Sequence, residues 1–141
     1  MKKILFSGTE NNLATDIVLA LFRIFVGLSM GLVHGLGKVP PSAGFIEHVG
    51  SLGFPMPDLF AWSAGLAEFA GALLLAFGLF TRPAAFFVAI TMFVAGLINH
   101  AGDPYGAAEK AYLYLAIAII YLILGSGRYS ADSWLRKKLN I

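Results

Sequence analysis

Two charged residues sit inside stretches that otherwise suit hydrocarbon. Arg23 lies in "ALFRIFVGLSMGLVHGLGK" (Ala20–Lys38), and Glu68 lies in "AGLAEFAGALLLAF" (Ala64–Phe77). A guanidinium keeps its proton at any ordinary pH, and an unpaired ion inside a bilayer is expensive. The pattern predicts a buried Arg23–Glu68 ion pair in which each charge makes the other tolerable. Two uses of such a pair remain open. It fixes the register of two helices, or Glu68 takes a proton from a substrate or lines a polar cavity.

A second set of polar residues gathers toward the opposite surface. His34 is eleven residues from Arg23, about 20° round an ideal helix, and shares its face. Lys38 follows one turn later, and Asn99 and His100 close a third apolar segment. Glu109 and Lys110 open a fourth segment, with Tyr112 just inside it. His34, Lys38, Asn99, His100, Glu109 and Tyr112 are therefore the candidate polar or substrate pocket. A small molecule or a quinone head group would fit there, with His34 or Glu109 accepting a proton. Two histidines and a carboxylate also suit zinc or non-haem iron, and His34 with His100 suit haem. No HExxH-type spacing supports a metal, and none is assigned. Helix-end polar residues that simply meet water and head groups are the plain alternative.

The elements that carry these residues follow from hydropathy. The chain has 141 residues, 58% hydrophobic and 13% charged, with mean hydropathy +0.78. Roughly a quarter of a soluble domain is charged, so too little polar surface exists to coat a water-soluble body. Apolar segments at about 13–37, 58–80, 83–100 and 111–126 are each near the length that crosses a bilayer. Pro57 with Asp58 and Pro83 mark two of the starts. The expected fold is all-α, a single integral membrane four-helix transmembrane domain spanning residues 1–141. Ser42 is placed to cap a short interfacial helix carrying Phe45, Ile46 and Val49. The tail "SGRYSADSWLRKKLNI" reads either as another interfacial helix or as a polar tail anchored by Trp134.

Small residues at one-turn spacing mark helix contact faces in lipid. Gly27, Gly31 and Gly35 form such a stripe, with Arg23 one step back along it. Ala61, Ala64, Gly65, Gly71 and Ala72 surround Glu68 in the same way. Counted from the inner boundary, Arg23 lies roughly 13 Å deep and Glu68 roughly 18 Å, a gap that a long side chain closes.

Charge sets the orientation. With a cytoplasmic amino terminus, Lys2, Lys3, Arg82, Arg128, Arg136, Lys137 and Lys138 lie inside, and Lys38 and Lys110 lie outside. That bias predicts both termini in the cytoplasm and a multi-pass protein of the cytoplasmic (inner) membrane. "MKKILFSGTENN" is too weakly apolar for a cleaved signal and reads as a retained tail. The net charge of +2, with no basic and aromatic cluster, argues against nucleic acid. Cys is absent, which excludes thiolate-ligated iron–sulfur clusters and thiol relays through this chain.

Three stretches taken in order, "FRIFVGLSMGLVHGLGK", "AEFAGALLLAFGLFTRPAA" and "YLYLAIAIIYLILGSGRYSADSWL", resemble the DoxX family of small four-helix membrane proteins. The resemblance rests on Arg23, Gly27, His34, Gly35 and Lys38, on Glu68 with Gly71, on the Gly78–Arg82 turn with Ala84 and Ala85, and on Gly125–Asp132. It implies a quinone-linked or stress-related oxidoreductase subunit, with quinone as the carrier and a partner redox protein or a homo-oligomer as company. It transfers no catalytic residue. Membrane lipids are a further partner. A redox-associated subunit would bind a small apolar substrate between its helices, in a slot lined by Phe25, Trp62, Phe69, Phe93 and Tyr112. The alternatives are a small transporter, as in four-span exporters with one buried glutamate, and a structural or assembly anchor for a partner enzyme.

Overall fold

The computed structural model describes residues 12–140. The tail containing Lys2 and Lys3 lies outside the described residues. Among the described residues four helices are long and apolar enough to span a bilayer: α1 (Leu13–Lys38), α3 (Pro57–Phe77), α4 (Thr81–Asn99) and α5 (Tyr105–Leu124). Among the described residues two short helices accompany them, α2 (Ala43–Ser51) between the first two spans and α6 (Ala131–Leu139) after the last. Among the described residues there is no strand. The start of α1 and the end of α5 share one end of the bundle, the terminal end. The α1–α3 connection and the α4–α5 turn share the far end.

Local chemistry explains the boundaries. Asn12 caps α1 by accepting from the Thr15 N–H at 2.9 Å, and Ser42 caps α2 by accepting from Phe45 at 3.2 Å. α5 begins at Tyr105, ahead of the apolar segment expected from 111. Ala107, Ala108, Glu109 and Lys110 are good helix formers, and the charged pair Glu109–Lys110 lies within the span rather than ahead of it. α3 stops at Phe77 because Gly78 turns left-handed, with φ 66°, an ordinary way to end a helix.

The interior is built from small side chains. Ala61, Ala72, Ala85 and Ala118 are wholly buried, whereas Phe25, Val33, Phe77 and Ile123 face outward. This is the packing lipid demands, since bulky apolar groups gain little by leaving acyl chains. Helices α1 and α3 run antiparallel with their backbones nearly touching. A Cβ on Gly27 would lie 2.6 Å from the Ala72 carbonyl oxygen, and one on Gly35 would lie 2.5 Å from that of Glu68.

The terminal end is closed by the segment after α5. Asp132 accepts from the Phe80 N–H at 2.7 Å, the Thr81 N–H at 3.0 Å and the Thr81 hydroxyl at 2.9 Å, which caps α4. Its own N–H donates to the Gly78 carbonyl at 2.8 Å, so one residue closes α3 and opens α4. The Tyr121 hydroxyl donates to the Leu19 carbonyl at 2.8 Å and ties α5 to α1.

Gly27→Ala and Gly35→Ala should each lower the thermal midpoint of the detergent-solubilised protein, at a cost of about 1–3 kcal/mol typical of overpacking. Gly37→Ala, where an added Cβ meets nothing within 4 Å, should leave it unchanged. Equal midpoints for all three would rule out the close α1–α3 approach.

Candidate functional site

The contact of Gly35 with the Glu68 backbone sets the site. Lys38 comes one turn after His34 on α1, and its ammonium reaches both Glu68 oxygens at 2.7 Å. The carboxylate is 5% exposed and the lysine side chain 34%. The ion pair thus runs from the bundle interior toward the far surface. Lys38 is held at several points: its carbonyl lies where a Cβ on Gly65 would meet it at 2.6 Å, and its ammonium lies 5.4 Å from the centre of the Phe45 ring on α2. The His34 ring meets Tyr114 of α5 edge-on, with centroids 5.9 Å apart. The charges of Glu68, Lys38 and Lys110 all act on it. Residues from α1, α2, α3 and α5 therefore meet at one level.

The backbone is unusual there as well. α1, α3 and α4 each contain a π-helical stretch, Ser29–Gly35, Ala67–Gly71 and Ala95–Asn99. These stretches carry His34, Glu68 and Asn99. Wider turns of this kind recur at functional sites because they loosen the backbone ladder and re-aim side chains.

The expected Arg23–Glu68 pair does not form. The glycine stripe places Glu68 beside Gly35, and twelve residues of helix separate Gly35 from Arg23, about 18 Å along the axis. Depth measured from assumed boundaries missed this offset. Arg23 instead donates to three backbone carbonyls: Ala76 at 3.4 Å, Tyr129 at 2.8 Å and Ser126. Gly78 makes room for it, since a Cβ there would lie 2.7 Å from the guanidinium carbon.

The other candidates divide among separate partners. Asn99 bonds to His48 of α2, and His100 pairs with Asp103 at 2.9 Å. Tyr112 donates to the Gly96 carbonyl at 3.1 Å and stacks on Tyr105, and Glu109 is exposed. The six residues therefore do not line one pocket. Among the described residues no three His, Asp or Glu side chains gather closely enough to hold a metal ion. The aromatic slot is also absent, because Phe25, Trp62 and Phe93 are exposed on the outer face. The central seam between Val26, Met30, Leu75, Val88 and Ala118 has no space for a water molecule.

Sequence reasoning missed three things here: the role of Lys38 as the partner of Glu68, Tyr114 and Phe45 as its surroundings, and His48 as the partner of Asn99. The spacing of His34 and Lys38 beside the glycine stripe was a usable signal for the first. The others depend on where separate helices meet.

A four-span membrane bundle with an ion pair at its far end defines the class of protein. The DoxX family profile matches residues 18–101, and the chain belongs to that family. It is 32% identical over 127 residues to CatD of Bacillus subtilis (strain 168), a protein named provisionally as an oxidoreductase, covering 89% of this chain and 92% of CatD. It is 35% identical over 128 residues to the inner membrane protein YphA of Escherichia coli (strain K12), covering 84% and 91% of the two chains. The inner membrane protein YqjF of the same organism is 30% identical over 130 residues, covering 87% and 95%. No solved structure matches the chain. Four spans and these relatives identify a multi-pass inner membrane protein.

A double-mutant cycle separates the two ion-pair assignments. Lys38→Met should destabilise more than Glu68→Gln, because it strands a buried carboxylate, and the double variant should recover much of the loss. Arg23→Gln and Glu68→Gln should add within about 0.5 kcal/mol. Strong coupling between Arg23 and Glu68 would restore the original pairing.

Proposed function

We propose that the protein is a redox-associated subunit of the inner membrane that binds a small apolar, quinone-like substrate at the far end of the bundle, against Lys38, Glu68 and His34. The single observation that carries this reading is the Lys38–Glu68 pair. Its carboxylate is buried within a span, and its ammonium is one-third exposed. An ammonium in that position donates a hydrogen bond to a substrate carbonyl, and the carboxylate and imidazole behind it hold or pass on protons. Reduction of a quinone takes two electrons and two protons. The chain has no Cys to ligate an iron–sulfur centre, so in this reading a partner redox protein supplies the electrons and this chain supplies binding and protons. The oxidoreductase name of CatD and the π-helical stretches around the site support the same conclusion.

The two tryptophans allow a direct test. Trp62 lies on α3, six residues before Glu68 and about 9 Å from it along the axis, and Trp134 lies on α6 at the terminal end. Short-chain quinone titrated into Trp134→Phe should quench Trp62 saturably. Glu68→Gln and Lys38→Met in that background should weaken the quenching by about tenfold, the loss of one charge-assisted hydrogen bond. No saturable quenching across benzoquinones and naphthoquinones would sink the proposal.

The orientation proposed with this function puts the terminal end, with its surplus of Lys and Arg, in the cytoplasm. The pair would then face the opposite compartment. The Cys-free chain suits single-cysteine labelling. Asp103→Cys should react with an impermeant maleimide in spheroplasts, and Lys137→Cys only after the membrane is opened; the reverse pattern would invert the topology.

A further inference from the structure

A second site lies at the terminal end, away from the Lys38–Glu68 pair. A groove of about 350 Å³ opens there, lined by Arg23, Ile24, Leu28, Phe77, Tyr129 and Ala131, among others. Its walls differ in chemistry. Ile24, Leu28 and Phe77 belong to the lipid-facing surface, with Phe77 67% exposed, whereas Tyr129 and Ala131 belong to the segment that crosses the end of the bundle. Arg23 contributes from beneath and is only 1% exposed.

Among the described residues no carboxylate is in contact with the charge of Arg23. Among the described residues the ion pairs are Lys38–Glu68 and His100–Asp103. Asp132 acts on Arg23 from beyond contact distance, and both of its oxygens are already engaged by the start of α4. Asp16, also buried, is seven residues back along α1, about 10 Å along the axis. A guanidinium has five N–H donors. Three of them serve the carbonyls of Ala76, Ser126 and Tyr129, leaving two without an acceptor among the described residues. Arg82, Arg128, Arg136, Lys137 and Lys138 crowd the same end. A buried cation with spare donors, an apolar wall open to the acyl chains and a surrounding excess of positive charge together specify an amphiphile with an anionic head.

We propose that this groove is a binding site for an anionic phospholipid of the bilayer. The phosphate accepts from Arg23, and the acyl chain lies along Ile24, Leu28 and Phe77. Planar donor forks suit phosphate. A zwitterionic lipid fits less well, because its ammonium head would face Arg128 and the basic α6. The site supplies the counter-charge that the described residues do not place against Arg23, and it would pin α1 to the segment after α5.

Trp134 on α6 is close enough to report on this end. In the Trp62→Phe protein, reconstituted in phosphatidylcholine vesicles, a minor fraction of dibromo-phosphatidylglycerol should quench Trp134 about five-fold more effectively than the same fraction of dibromo-phosphatidylcholine, roughly the ratio that one charge's attraction gives. Ala131→Phe and Leu28→Phe narrow the groove from opposite walls without removing a partner of Arg23, and each should abolish the preference. A preference that survives both changes would assign it to the basic surface of α6 and overturn the proposal. Equal quenching by the two lipids would also overturn it, as would displacement of the brominated phospholipid by an equal concentration of oleate, which would make the ligand a free carboxylate.

Discussion

The contact between α1 and α3 at the glycine stripe governs the rest of the molecule. With Cβ atoms missing at Gly27 and Gly35, one helix backbone lies directly on the other, and the carbonyls of Ala72 and Glu68 occupy the space. Such an approach tolerates no slip. A shift of one residue would drive a side chain into a backbone that has no room to yield. The register it imposes puts Glu68 beside Gly35, within reach of Lys38, and leaves Arg23 level with the end of α3. Both polar centres of the protein are consequences of that one contact.

The two centres handle buried charge in different ways. At the far end a carboxylate is met by a compact ammonium on a flexible stem, which can touch both oxygens and still reach water. At the terminal end a rigid fork of donors is met by carbonyl dipoles from two separate stretches of chain. The difference follows from side-chain chemistry, since a guanidinium satisfies several spread acceptors at once and an ammonium acts as a point charge. Between the centres, the seam around Met30, Leu75, Val88 and Ala118 is tightly packed and has no space for a water molecule.

Family membership rests on residues 18–101. That stretch includes Arg23, His34, Lys38 and Glu68, so the ion pair and the histidine beside it belong to the matched region. The Ser126 and Tyr129 carbonyls that hold Arg23 lie beyond it, as does Asp132. The terminal closure is therefore built partly from outside the profile, although the relatives that align over 84–89% of the chain share most of its length.

Much of the architecture could be read directly from residue order. Hydropathy and length are local properties, and they sufficed for four spans. Capping chemistry is local too, and Ser42 marked the start of α2. The glycine and alanine stripes announced which faces would pack. What local pattern could not supply was the axial offset between α1 and α3, because that offset is a relation between distant segments. It comes from backbone atoms meeting where side chains are missing. Boundary counting gave an offset of about 5 Å between Arg23 and Glu68 where the glycine contact imposes about 18 Å, and that difference gave Glu68 the wrong cation. The carbonyl cradle around Arg23 was equally invisible, since every residue has a carbonyl and only the folded chain decides which ones converge. Composition and periodicity thus determined the membrane, the helices and their contact faces; helix-to-helix register alone decided which charges meet.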